Sequence, residues 1–152
     1  MRPIRNSSKA VIIHNHHVLL TKNKDDFGDF YLFPGGGQEA GETLAEAVYR
    51  ECLEEIGAEV IVNDLIHIRE YIGQNHEFAE WDSDIHQVEF YFLCQLKDQN
   101  SEVGNGYNPD PYQIAVEWID LEELEEVRVY PKTLGSILKN NEKVNIYIGD
   151  VN

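Results

Sequence analysis

GGGQEAGETLAEAVYRECLEEIGA, residues Gly35–Ala58, decides the reading of this chain. Its first half is studded with glycine, at Gly35, Gly36, Gly37 and Gly41, where backbone can approach a ligand more closely than other residues allow. Its second half has helical spacing. Thr43 and Glu46 stand at capping-box separation, which predicts a helix start at Thr43, and Gly57 supplies the stop after Ile56. On that helix Leu44, Ala45, Val48, Cys52 and Ile56 share one apolar side. Glu51, Glu54 and Glu55, at i, i+3 and i+4, share an adjacent face. Three exposed carboxylates so placed repel one another by a few tenths of a kcal/mol per pair, roughly. Arg50 can offset part of that repulsion by a bidentate contact. A divalent cation can offset the rest. An all-oxygen donor set suits Mg²⁺ or Mn²⁺ and disfavours zinc. A Glu-rich helix taken alone is most often a solvated face; the glycines ahead of it, with room for a phosphate chain, are what point to a site.

Outward from this stretch, the 152 residues are read as one domain with one core, 42% of them hydrophobic. The longest apolar runs fall far short of a membrane span, and Ala10–Ile13 is too short for a signal peptide, so a soluble, cytoplasmic protein is expected. Cys52 and Cys94 lack metal-site spacing and read as buried small hydrophobes. The net charge of −16 argues against a nucleic-acid partner, which needs a basic face, but admits a metal-chelated anionic small molecule.

Upstream, residues 10–14 and 18–21 read as a hairpin around Asn15-His16-His17, 22–29 as a charged loop, and Phe30–Phe33 as a short strand ended by Pro34. Downstream, 59–62 and 65–72 read as two strand-like runs, the second interrupted by Arg69 and Glu70. Residues 74–87 read as an acidic loop or long hairpin turn carrying Phe78 and Trp81, and 88–96 as the strongest, central strand. A loop at 97–112, a strand at 115–119, short helices at 121–126 and 133–139 and a terminal strand or tail at 144–148 complete a mixed sheet with helices packed on it, an α/β (α+β) pattern.

The central stretch resembles the box of the Nudix hydrolases. That box runs Gly, five residues, Glu, seven residues, then Arg-Glu-aliphatic-any-Glu-Glu-any-Gly-aliphatic. Here Gly36, Glu42 and Arg50-Glu51-Cys52-Leu53-Glu54-Glu55-Ile56-Gly57-Ala58 fill it, with Cys52 and Ala58 as small departures at the aliphatic positions. The resemblance extends over about residues 8–140. It implies a mixed sheet sandwiched between helices, and Mg²⁺- or Mn²⁺-dependent cleavage of the pyrophosphate in a nucleoside diphosphate joined to another group, such as a nucleotide sugar, ADP-ribose or a (d)NTP. It implies Glu51, Glu54, Glu55 and the Gly36 carbonyl as metal ligands, with Glu54 foremost, Arg50 orienting a glutamate, Glu42 tying loop to helix, and Gly36 and Gly37 beneath the substrate. For a general base or further ligand outside the box, Glu102, Asp110 and Glu89 are candidates, Glu89 being alternatively solvent-facing. Phe30, Tyr31, Phe78, Trp81 and Tyr107 are candidate base platforms. The acidic loop 77–84 can make specificity contacts, cover the site or join a homodimer contact, and these alternatives stay open. A nucleotide sensor that does not hydrolyse is the rival function. Isoprenoid isomerisation and trimming of RNA 5′ ends are further rivals that the sequence supports poorly.

Overall fold

The computed structural model describes residues 2–152. In chain order its elements are β1 (Arg5–His14), β2 (His17–Asp25), β3 (Gly28–Leu32), β4 (Gly35–Gly37), α1 (Leu44–Ile56), β5 (Val60–Ile72), α2 (Ala79–Asp82), β6 (His86–Leu96), β7 (Gln113–Asp120), β8 (Val129–Tyr130), α3 (Lys132–Asn140) and β9 (Tyr147–Asp150), with 3₁₀ turns at Gly73–Asn75 and Leu121–Glu123. The mixed sheet expected from the sequence is present. Its strands run β8-β3-β2-β1-β6-β5-β9, with β4 added on β1 and β7 on β2.

β1 organises this sheet. Its first part is flanked by β6, in parallel, and by β4, antiparallel; its end turns into β2. The strand is buried on both faces, so alternate residues feed two cores. Val11 joins Val18, Leu20, Phe33, Tyr91 and Leu134 on one side. Ala10 and Ile12 join Leu19, Val48, Cys52 and Ile56 under α1 on the other. Both cysteines are buried and free, as their spacing suggested.

α1 keeps its predicted start and stop. Thr43 and Glu46 make both halves of the capping box, and Gly57 ends the helix at φ 69°. Its buried stripe is rotated slightly from the expected one: Ala47 is buried and Ala45 is exposed, because the helix also leans on β4 and β1.

Several loops of the sequence reading are strands. Residues 22–25 continue β2 and pair with β3, so the charges of that run decorate a hairpin. Gly35, Gly36 and Gly37 form a short strand that pairs antiparallel with Lys9, Ser8 and Ser7 of β1. The two runs 59–62 and 65–72 form one strand, β5, bulged between Val62 and His67. The first hairpin turn is tighter than expected: His14 pairs with His17, and Asn15 and His16 take φ of 51° and 63°. The helix expected at 121–126 is a 3₁₀ turn, capped by Asp120, whose carboxylate accepts from Glu122 N–H. The 97–112 loop is irregular, as expected, but it has structural work. Its Gly104, Gly106 and Asn108 N–H groups donate to the last carbonyls of α1, those of Ile56, Glu55 and Glu54.

Candidate active site

The acid-bearing face of α1 looks across at β4. Glu55 is only 2% exposed. One carboxylate oxygen, Oε2, accepts from Gly35 N–H at 3.1 Å; the other, Oε1, is buried without a hydrogen-bond partner. Burial pushes the Glu55 carboxyl up to about 8, with Asp110 and Glu51 adding to the rise and Lys9 and the Gly35 N–H opposing it. Glu51 is raised too, by burial first, against the pull of Arg50. Gly36 lies against Glu51 so closely that a Cβ at position 36 would stand 2.7 Å from the carboxylate.

Arg50 holds the cluster in place. Its Nε and Nη2 donate to Glu42 at 3.0 and 2.8 Å, Nη2 also to the Gly37 carbonyl at 3.0 Å, and Nη1 to Glu51 at 3.0 Å and to Glu54 at 3.4 Å. Arg50 therefore orients glutamates, and Glu42 ties the loop to the helix: its other bond is from Glu39 N–H. The Gly37 carbonyl is thus engaged, and the space over its Cα is filled by the Arg5 guanidinium.

Among the described residues, no three acid, histidine or cysteine side chains converge tightly enough to enclose an ion unaided. The donors nevertheless suit a hard cation that keeps several waters. Glu51, Glu54 and Glu55 share one face, all offer oxygen, and Glu55 carries a buried oxygen that nothing satisfies. With the Gly36 carbonyl, these are the residues that could hold Mg²⁺ or Mn²⁺.

Of the candidates outside the box, Glu102 and Asp110 are both exposed, and Asp110 acts on Glu55 electrostatically. Glu89 is not solvent-facing. It is 5% exposed and directly opposite Arg69 across the β5–β6 ladder, with Arg69 Nε donating to it at 2.7 Å and Tyr91 OH at 2.5 Å. Burial would raise its carboxyl, but Arg69 and Lys9 outweigh that and hold it below the usual range. A carboxylate so engaged is a fixed counter-charge and a poor proton acceptor.

Glu89, Arg69 and Lys9 line a cleft of about 660 Å³. Lys9 is the link to the box: it acts electrostatically on Glu51, Glu55 and Glu89, and its Nζ lies 3.5 Å from the Gly35 carbonyl. The rest of the cleft combines aromatic rings with acids and one further arginine. Phe27, Phe30, Phe78, Trp81 and Tyr130 line it around Arg128, whose guanidinium pairs with Asp25 at 2.6 and 2.9 Å and lies 5.0 Å from the Phe30 ring centroid. Phe30, Phe78 and Trp81 were expected there. Tyr31 is buried and donates to Glu117, and Tyr107 is exposed away from the cleft lining. Sequence reasoning missed Lys9, Phe27, Arg69 and Arg128. A basic residue inside an apolar run, as at Arg69, was the available signal; its partner depends on register.

The chain matches the NUDIX domain family model over residues 4–138. A Xenopus laevis protein described as nucleoside diphosphate-linked moiety X motif 6 is 30% identical over 110 residues, covering 72% of this chain and 46% of that one. An RNA pyrophosphohydrolase of Helicobacter pylori is 34% identical over 94 residues, covering 56% of each. The chain thus spans about half the length of these two relatives. Among solved structures, a NUDIX hydrolase from Nitrosomonas europaea superposes with a TM-score of 0.69 at 20% identity, over 91% of this chain and 89% of that one. An ADP-ribose pyrophosphatase from Streptococcus suis superposes with 0.62 at 16% identity, over 96% and 97%. At such identities the likeness shows a shared fold.

Proposed function

The chain belongs to the Nudix family, and on that premise we propose that it is a metal-dependent pyrophosphohydrolase of a small nucleotide, cutting the pyrophosphate of a nucleoside diphosphate linked to a further group. The observation that carries the reading is a cleft that starts beside the glycines of the box, at Lys9, and is lined further on by Phe27, Phe30, Phe78, Trp81 and Tyr130. A nucleotide has a phosphate chain for the first part and a flat base for the second.

In this reading Glu51, Glu54, Glu55 and the Gly36 carbonyl hold the cation. When bound there, Mg²⁺ or Mn²⁺ neutralises phosphate charge and makes an attacking water more acidic. Arg50 keeps Glu51 and Glu54 in place, tethered in turn by Glu42 and the Gly37 carbonyl. Arg50 being engaged by the box acids themselves, Lys9 supplies the cationic charge on the cleft side of them for a phosphate to meet. Asp110 is left as the best-placed acid outside the box to take a proton, since Glu89 is consumed by Arg69. The aromatic end receives the base.

The test is a substrate panel with Mg²⁺ and with Mn²⁺: ADP-ribose, nucleotide sugars, dinucleoside polyphosphates and (d)NTPs, read as release of nucleoside monophosphate. A 5′-triphosphorylated RNA oligonucleotide belongs in it because of the Helicobacter relatives, although a chain of net charge −16 offers little to a phosphate backbone. Turnover of at least one small nucleotide is expected. Tight nucleotide binding with no turnover across the panel would replace the hydrolase by a nucleotide sensor.

A further inference from the structure

Residues 147–152 lie beyond the stretch matched by the family model, yet they pack along β5 and end at the cleft with Asn152. β9 adds in parallel to β5. The Asp150 carboxylate accepts from three groups of the following turn: Ile72 N–H at 2.9 Å, Asn75 Nδ2 at 2.9 Å and His76 Nε2 at 2.6 Å. Next to it, the Val151 carbonyl and Asn152 Oδ1 accept from Arg69 Nη1 at 2.6 and 3.2 Å, and Asn152 Nδ2 donates to Glu77 at 3.2 Å. Asn152 itself lines the cleft.

The turn gripped by Asp150 leads into α2, which carries Trp81. The His76 ring stacks on Tyr71, with centroids 5.5 Å apart and planes 15° apart, and the Tyr71 hydroxyl donates to Asp82 at 2.7 Å. Asp150 is thereby connected, through His76, Tyr71 and Asp82, to the residue beside Trp81. Trp81 is 61% exposed and faces Phe27, 69% exposed, from the β2–β3 turn. Their centroids are 6.4 Å apart and their planes meet at 64°. Two such rings form a corner and not a parallel sandwich. A flat ring laid on one of them meets the edge or face of the other, and it covers apolar area that the protein otherwise leaves in water.

We propose that residues 147–152 are a specificity arm of the substrate site: Asp150 positions the turn that leads into α2 and Trp81, so that a nucleobase seats in the Phe27–Trp81 corner of the cleft that Asn152 also lines. The kinetic half of this inference rests on the hydrolase reading; the binding half does not. Asp150 is a positioning residue, while Trp81 and Phe27 touch the base.

The experiment uses the full chain in a Trp118→Phe background, so that Trp81 alone reports by fluorescence. AMP without metal is the binding probe. It should quench Trp81, and Phe27→Ala should weaken AMP about ten-fold, the loss expected of one base–aromatic stack. On the best substrate of the panel, Phe27→Ala, Trp81→Ala and Asp150→Ala should each raise KM by about the same ten-fold factor while kcat moves far less. Asp150→Ala should also narrow the difference in KM between purine and pyrimidine substrates, and Asp150→Asn, which keeps an acceptor for Ile72 N–H, should restore most of it. If Asp150 served the fold alone, thermal stability would fall and KM and AMP affinity would stay as in the parent; that result overturns the arm. Unchanged AMP affinity in Phe27→Ala together with unchanged KM in Trp81→Ala overturns the base seat. Quenching by AMP in a protein that turns over nothing leaves the arm standing and removes only the hydrolase.

Discussion

Gly36 and Glu51 are in direct apposition: a methyl group on Gly36 would lie 2.7 Å from the Cδ of the Glu51 carboxylate. The glycine is there because a carboxylate and a strand backbone share that space. Gly36→Ala should therefore displace the carboxylate, the far end of a flexible side chain, and leave β4 in its ladder. The expected stability cost is modest, below about 1.5 kcal/mol in chemical denaturation. Turnover should drop at least ten-fold, roughly, if Glu51 must stand where it does. Parental turnover in this variant would mean that the apposition has no part in the chemistry.

Glu54→Gln keeps the shape of the side chain and removes one of three like charges on the α1 face. Relief of repulsion and weakening of the Arg50 contact are each worth only a few tenths of a kcal/mol, roughly, and oppose one another, so the melting temperature should be nearly unchanged. Turnover with Mg²⁺ should be lost, and so should any thermal stabilisation by Mn²⁺ that the parent shows. A variant that still melts higher in Mn²⁺ and still turns over would remove Glu54 from the ligand set.

The Glu89–Arg69 pair carries an acid-side signature. Because Glu89 is held below its ordinary range in the fold, its contribution to stability is full above the unfolded carboxyl value of about 4.3 and is lost as pH falls through the lower folded value. Glu89→Gln leaves the Arg69 charge buried and should cost about 3–5 kcal/mol at pH 7. The gap between parent and variant should close as the pH is taken below about 4. Urea unfolding at pH 7, 5 and 3.5 measures it. A gap that stays constant across that range would mean the pair is not what stabilises the carboxylate. Adding Arg69→Met to Glu89→Gln should recover much of the loss, since an apolar replacement of both partners strands no charge.

Gly106 touches the end of α1 so closely that a Cβ there would fall on the Glu54 carbonyl oxygen, with the Leu53 carbonyl next to it. Both obstacles are backbone, so they cannot swing aside. Gly106→Ala should destabilise by about 1–3 kcal/mol. Gly104 has open space around its Cα, and Gly104→Ala should be nearly silent. Equal stability of the two variants would mean that the 97–112 loop does not hold the helix end.

The reach of the sequence differed from one element to the next. α1 was readable from cap to stop because each of its signals is local: Thr43 finds Glu46 one turn on, Gly57 needs only its own φ, and Glu51, Glu54 and Glu55 share a face by the pitch of the helix alone. Spacing sufficed to place the box acids and Arg50 side by side. It did not suffice for the glycines, whose pairing with Ser7, Ser8 and Lys9 of β1 depends on a strand that precedes them by more than twenty residues, roughly, in a chain with no local cue to that partnership.

Everything on the substrate side of the site is of that second kind. Whether Glu89 faces water or Arg69 depends on the register of β5 against β6, and a slip of one residue would exchange the two faces. Lys9 reaches the box acids only because β1 lies beside β4. Arg128 enters the aromatic cleft only because β8 lies beside β3, and Asp150 meets His76 only because β9 returns along β5. The sequence by itself determined the helix, its caps and the acidic face, where contacts span a turn or two. The tertiary structure decided what that face looks toward, because those contacts are set by strand order and register.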